Sequence, residues 1–368
     1  MIQKMLLISL LTLLIIASGI YYFLQSEQFG ALPSGDRLER IKKSPHFKEG
    51  KFNNLSFTPS LSEDTNMMKV MYRFIFDNTK ETKPKQPFTF KKTDLRNIPL
   101  YEDVFIWMGH SSYYIQIDGK KILVDPVLSG SSSPIRSTSK AFSGSDLYSV
   151  EDFTTIDYLV ITHDHWDHLD YKTVVELESK VKNVITGLGT GAHLERWNYP
   201  NEKISELDWF ERKDFKNGFI FSAEPARHFS GRGLKRDQAL WISLVLQTPN
   251  KTIYIGGDSG YDTHFKNIGE KYNIDYAILE NGQYNKDWRY IHLLPGQQDD
   301  AMFDLKATHL IPVHNSKFKL AIHPWNEPLN QIIKNKKGNY HLLLPEIGEK
   351  LDLNSPKTIK EKWWKDLH

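Results

Sequence analysis

The stretch Thr162-His163-Asp164-His165-Trp166-Asp167-His168 concentrates three imidazoles and the Asp167 carboxylate within one short piece of chain. Neutral imidazole and carboxylate are ligands for divalent transition metals, and a turn leaving a strand can aim neighbouring side chains at two centres. On such a turn His163 and His165 address one ion, while Asp167 and His168 reach a second beside it. The chain has 14 histidines and no cysteine. Thiolate ligands, disulfides, a catalytic thiol and a lipid-bearing cysteine are therefore excluded, and any metal must be held by His and carboxylates. Two divalent ions roughly 3.5–4 Å apart lower the pKa of a bridging water and stabilise charge on the scissile group, so hydroxide is the expected nucleophile and no serine is needed. Asp167 is expected to orient that nucleophile as well as to ligate. Zinc suits such N/O ligands first; manganese and iron suit them too.

Elements that could position this stretch follow from the patterning. The apolar run Asp157–Ile161 just before it implies a buried strand over Tyr158–Thr162. From Asp103 onward, short β-branched and aromatic runs alternate with Gly, Asp and Asn, which is sheet patterning. Val104–Met108, Tyr113–Ile117 and Lys121–Val124 read as a meander with Asp118-Gly119 as a hairpin turn. Further strands are expected at Val184–Thr186, Phe219–Ala223, Leu240–Leu246, Thr252–Ile255, Tyr276–Leu279, Leu310–Val313 and His341–Leu344. Helices are expected at Tyr171–Lys180, Thr263–Tyr272, Gln297–Leu305 and Leu329–Lys334. A meander followed by strand-helix alternation implies two sheets face to face with helices outside. His193 and His264 fall on or near helices and are expected at the surface.

The beginning of the chain differs in kind. Met5–Leu24 is an uncharged run of 20 residues, about the length that crosses a bilayer core. Its small residues, Ala17-Ser18-Gly19, lie inside the run and not at its end, which favours an uncleaved single-pass anchor over a signal peptide. Lys4 argues for a cytoplasmic N-terminus and a periplasmic catalytic domain; Arg37, Arg40, Lys42 and Lys43 pull the other way. Residues 25–100 read as an arm wrapped on the domain, with one amphipathic segment at Met67–Phe76. The catalytic domain is expected over 101–350 and a C-terminal tail over 351–368. Charges nearly balance, 47 Lys+Arg against 45 Asp+Glu, which leaves no basic stripe for nucleic acid. The expected partners are the bilayer and a small-molecule or lipid substrate.

The stretch His163-x-His165-x-Asp167-His168 resembles the signature of the metallo-β-lactamase superfamily. The wider chain is similar to bacterial relatives of N-acyl-phosphatidylethanolamine-hydrolysing phospholipase D. That likeness runs through Trp107-Met108-Gly109-His110-Ser111-Ser112, Ile122-Leu123-Val124-Asp125-Pro126, Leu207-Asp208-Trp209, Gly256-Gly257-Asp258-Ser259-Gly260-Tyr261 and Glu327-Pro328. It implies a four-layer αβ/βα sandwich with a two-metal site at the sheet edges. It also implies His228 as third ligand of the first ion, His314 as a ligand of the second, and Asp258 bridging both and sharing the catalytic role of Asp167. Asp125 and His110 either orient a ligand or serve local turns. His292 and His323 either contact substrate or are structural. Around the pocket the chain departs from those relatives: Asn315-Ser316-Lys317-Phe318 stands where Trp-Gly-Thr-Phe is usual, and Gly296-Gln297-Gln298 replaces acidic residues.

The resemblance implies a metallohydrolase acting on a phosphodiester or lipid-like ester. A lactone, amide or β-lactam hydrolase would share the ligands and the nucleophile. A non-catalytic envelope binding protein is a third alternative, set against a complete ligand set.

Overall fold

The computed structural model describes residues 1–357, 362–365 and 367. Of the stretch expected as a tail, residues 358–361, 366 and 368 lie outside the described residues. Helix α1 (Ile2–Leu24) runs for 23 residues with none buried, and its length and apolar composition suffice to cross a membrane. The arm that follows contains α2 (Gly35–Lys43), a small hairpin of β1 (Phe47–Lys48) and β2 (Lys51–Phe52), and α3 (Met67–Phe76). Asn66 caps α3 by accepting the Lys69 N–H. Specific bonds fasten the arm down: Arg37 pairs with Glu195 at 2.5 Å and Glu206 at 2.7 Å, and Arg73 pairs with Asp287.

The first sheet comprises β3 (Val104–Trp107), β4 (Tyr113–Ile117), β5 (Lys120–Val124), β6 (Ile156–Ile161), β7 (Val181–Gly187) and β8 (Ile204–Leu207). The second is built from β9 (Arg212–Asp214), β10 (Ile220–Glu224), β11 (Ser243–Gln247), β12 (Thr252–Ile255), β13 (Tyr276–Glu280), β14 (His309–Val313) and β15 (His341–Leu342). A last strand, β16 (Lys350–Asp352), returns to pair antiparallel with β3 at the edge of the first sheet. Between the strands lie α4 (Tyr171–Leu177), α5 (Gly191–Arg196), α6 (His264–Lys271), α7 (Gln297–Leu305) and α8 (Glu327–Asn335).

Period-two alternation explains the layers. In β3, Phe105 and Trp107 face the other sheet while Val104 and Ile106 face the first helical layer; in β12, Ile253 and Ile255 face inward and Tyr254 meets the second helical layer. Burial of each such side chain stabilises by about 1.5–3 kcal/mol, so the sheet-to-sheet core dominates. The order helix, sheet, sheet, helix is the four-layer sandwich expected from the sequence.

Parallel pairing brings strand ends into line. Val124 of β5 pairs with Val160 of β6, and Glu280 of β13 with Val313 of β14. The residues after those ends, Asp125, Thr162-His163, Asn281 and His314, therefore emerge along one edge of the sandwich.

Candidate metal centre

The edge gathers ten of the eleven side chains singled out in the sequence. His163 Nε2 and His228 Nε2 lie 2.9 and 3.2 Å from His165 Nδ1, so three imidazole nitrogens face one point. Beside them His110, Asp167, His168 and His314 form a second convergent set. Asp258 lies between the two sets. Its Oδ2 is 3.2 Å from His168 Nε2, 3.7 Å from His228 Nε2 and 4.0 Å from His163 Nε2, and its Oδ1 is 3.2 Å from His314 Nδ1.

Several ligand tautomers are set from behind. His168 Nδ1 donates to Asp125 Oδ2 at 2.8 Å, which turns its Nε2 inward. Asp125 also accepts from the Thr162 N–H and hydroxyl at 2.8 and 2.7 Å. His228 Nδ1 donates to the Ile291 carbonyl at 2.8 Å, again freeing Nε2. Such outer contacts are what an imidazole needs to serve as a ligand. His110 Nε2 bonds to Asp167 at 2.8 Å, and Ser111 Oγ meets His314 Nδ1 at 2.7 Å.

The chemistry of this set fits divalent metal. His168 Nε2 and Asp258 Oδ1 are buried without a hydrogen-bond partner, a costly arrangement unless another ligand engages them. Burial, reinforced by neighbouring imidazoles, holds His163 well below its usual pKa, and burial lowers His228 and His314 likewise; His165 falls to about 4 by burial. Those four rings are thus neutral, the form that ligates. Burial would raise Asp258 and Asp167, yet the charge on the neighbouring His168 ring, first among the lowering contacts, holds both carboxylates low. Burial opposes a charge on His168, but Asp258, Asp167 and Asp125 together raise its pKa well above the usual value. Two divalent ions held by the two sets would compensate this concentration of acceptors.

A cavity of about 320 Å³ opens onto the set, with His165, Asp167, His228, Asp258, His292 and His314 at its base. Its walls are mainly apolar, with Met67, Val70 and Phe74 of α3 together with Trp288, Ile291 and Leu320, and Ser60, Arg236 and Gln283 add polar groups. His292 Nδ1 is bonded to Glu280 Oε2 at 2.6 Å and lies 4.0 Å from Asp258 Oδ2. Burial lifts Glu280 to about 7 against the pull of His292, and Glu280 lifts His292 to about 9 against burial.

His323 stands apart from the other ten. Its Nε2 accepts the Gln283 N–H at 3.0 Å, its Nδ1 donates to the Pro324 carbonyl at 2.8 Å, and its ring stacks on Tyr284. Both nitrogens are occupied and its role here is structural. His193 and His264, expected at the surface, are buried. Helical location misled that expectation, since both sit on faces turned into the domain. Sequence reasoning missed Glu280; its only signal is a carboxylate ending an otherwise apolar strand.

The beta-lactamase superfamily domain matches residues 120–315 of the chain. The chain is 31% identical over 330 residues to uncharacterized protein Rv0906 of Mycobacterium tuberculosis, covering 88% of each. It is 29% identical over 231 residues to N-acyl-phosphatidylethanolamine-hydrolyzing phospholipase D 1 of Caenorhabditis elegans, covering 56% of this chain and 62% of that protein. Among solved structures, an isothiocyanate hydrolase from Delia radicum gut bacteria shares the fold with a TM-score of 0.55 and 17% identity, over 67% of this chain and 98% of that one.

Proposed function

Because the chain belongs to the metallo-β-lactamase superfamily and is a metal-dependent hydrolase, we propose that it cleaves a phosphodiester in a membrane lipid at a two-metal centre. The observation that carries this reading is the mouth of the cavity. Met67, Val70 and Phe74 line it from one side of α3, while Met68, Met71, Tyr72, Ile75 and Phe76 of the same helix are exposed. An apolar patch of this kind at a catalytic mouth marks an interaction site, and acyl chains match it where a small polar substrate does not. The relative from Caenorhabditis elegans, named for hydrolysing N-acyl-phosphatidylethanolamine, supports the same class.

The residues divide the work. His163, His165 and His228 would hold one ion and Asp167, His168 and His314 the other, with Asp258 placed between the two sets. Zinc is the proposed resident at both. When bound, such a pair makes a shared water acidic enough to ionise near neutral pH and takes up charge on the phosphoryl oxygens. Asp125 and the Ile291 carbonyl keep His168 and His228 in their ligating tautomers. His292, held at Nδ1 by Glu280, has Nε2 left for the cavity that it lines, where it can donate to an anionic substrate oxygen.

α1 supplies the anchor in this reading, with the domain on the periplasmic side. The test is a single-turnover assay of the zinc- or manganese-loaded chain on vesicles carrying N-acylated phosphatidylethanolamine, beside chromogenic bis-aryl phosphate, lactone and β-lactam substrates. Phosphodiester cleavage is expected. Lactone or β-lactam opening without it would replace this reading with the corresponding hydrolase.

A further inference from the structure

Asp164, between His163 and His165, faces a second cavity of about 550 Å³ at the end of α1, away from the metal pocket. Its buried carboxylate accepts the Gly231 N–H at 2.7 Å and approaches His193 Nε2 at 3.3 Å. His193 Nδ1 accepts the Ala31 N–H at 3.1 Å, so the ring proton is on Nε2 and is donated to Asp164. Buried Arg232 completes the assembly. One amino group of its guanidinium, Nη1, donates to the carbonyls of Asp164 at 2.9 Å and Leu169 at 2.6 Å, which bracket the metal-binding turn. Its Nε and Nη2 donate to the Gln28 carbonyl at 3.2 and 2.9 Å, and the guanidinium lies 3.9 Å from the Trp166 ring centroid.

The chain just after α1 is thus fastened to the turn from several directions. Phe29 packs edge-on against Trp166 at 5.1 Å, and Trp197 Nε1 donates to the Glu27 carbonyl at 2.7 Å. Gly30 permits the closest approach: it has φ +71°, and a Cβ there would lie 2.0 Å from His193 Nδ1. Any side chain at residue 30 must push the two apart. None of these groups lines the metal pocket, and the proposed reaction does not use them.

We propose that His193 and Arg232 are positioning residues for the turn His163–His168, and that Glu27–Ala31 is their third partner, so that the ligand geometry depends on the docked foot of the anchor helix. This rests on the reading of His163, His165, Asp167 and His168 as metal ligands. The physical argument is one of tolerance. Ligating atoms must be held within about 0.5 Å of their working geometry, and a turn of irregular backbone holds only as well as the bonds at its ends. Here those bonds are supplied by Arg232 at Asp164 and Leu169 and by His193 at the Asp164 side chain. Both residues are braced in turn on Gln28 and Ala31.

The test uses the full chain in detergent, loaded with cobalt(II), and reads the visible absorption of the bound ion and its affinity by chelator competition. His193→Gln keeps the reach to Asp164 and loses Ala31; His193→Asn does the reverse. Gly30→Ala forces the segment and the His193 ring apart while leaving both positioning residues in the sequence, and Arg232→Lys cannot span its three carbonyls. Each of the four is expected to weaken affinity by about 10–100-fold and to change the cobalt spectrum. Ile332→Ala, in the core beneath α8, is expected to lower the melting temperature while leaving the spectrum unchanged. Wild-type affinity and spectrum in His193→Gln and Gly30→Ala would overturn the role of Glu27–Ala31. The same spectral change in Ile332→Ala at equal loss of melting temperature would reduce all of it to general destabilisation. A wild-type chain that binds no cobalt overturns the metal reading and this proposal together, whereas bound wild type with four unaltered variants overturns this proposal alone.

Discussion

His168 and Asp125 share a 2.8 Å hydrogen bond 43 residues apart in sequence, and it joins the end of β5 to the metal-binding turn after β6. The same carboxylate takes two further bonds from Thr162, so the strand end and the ligand are oriented by one buried group. Asp125→Ala frees the His168 ring and leaves the Thr162 N–H unpaired. Metal affinity measured by chelator competition should fall about 10–100-fold. Asp125→Asn, which retains one acceptor oxygen, should fall in between. Unchanged affinity in the alanine variant would reduce Asp125 to an ordinary turn residue before Pro126.

Occupancy provides a second measurement. Elemental analysis of the full chain after metal-supplemented expression should give about two transition-metal ions. His165→Ala removes one nitrogen from one set, while Asp258→Ala removes the group placed between both sets. The Asp258 variant should therefore lose more metal, and both should lose hydrolysis. Chelation should stop turnover and added metal should restore it. A wild-type chain without bound metal would end this account of the site.

Much of this arrangement was legible because the side chains follow strand ends. The apolar runs before His163, Asp258 and His314 announce β6, β12 and β14, and a residue directly beyond a buried parallel strand has few places to go. Helix α3 was legible too, since its period is local, but the exposure of Met68, Met71, Tyr72, Ile75 and Phe76 was not. Long-range contacts left no such trace. Asp164 reads as a spacer between two histidines until His193, 29 residues on, is placed against it. His193 and His264 looked like helix-surface residues because nothing local says which face of a short helix is covered. β16 is three residues long and α2 has only Leu38 and Ile41 as apolar residues, so no period emerges from either, and both are held by partners far along the chain.

The exposed face of α3 can be separated from the metal site by experiment. Met71→Glu and Ile75→Glu place charge on residues that are exposed and do not line the cavity. Hydrolysis of phospholipid in vesicles should drop about tenfold or more, equivalent to roughly 1.4 kcal/mol of lost interfacial binding. Turnover of a soluble bis-aryl phosphate should stay at the wild-type level. An equal fall on both substrates would mean that the substitutions disturb the centre itself.

Retention of α1 is tested at its N-terminus. Protein extracted from membranes should begin near Met1, and external protease should reach the domain in spheroplasts. A mature N-terminus near Gly19 would identify a cleaved leader, whereas full protection would turn the domain to the cytoplasmic side. The four basic residues Arg37, Arg40, Lys42 and Lys43 are the feature that would then have prevailed.

A final prediction concerns stability against pH and rests on His264, which contacts Ser259 and none of the proposed ligands directly. The ring opens α6, packs on Phe265 and meets Ser259 Oγ at 3.2 Å through Nε2. Burial lowers its pKa from 6.5 to about 4, against the opposing pull of Asp262. The unfolded chain thus binds this proton more readily than the folded one between those values. Stability from the neutral buried ring is fully present above about pH 6.5 and is lost as pH falls toward 4. Between pH 7 and pH 5 the loss should be about 2 kcal/mol. His264→Gln retains a polar partner for Ser259 and cannot titrate. Urea unfolding of both proteins at saturating zinc should therefore show the wild type losing more stability than the variant over that interval by about that amount. Contributions from the metal-ligand histidines are common to both and cancel in the difference. Parallel losses, equal within about 0.5 kcal/mol, would show that the proton is taken up elsewhere and that His264 is not held neutral by the fold.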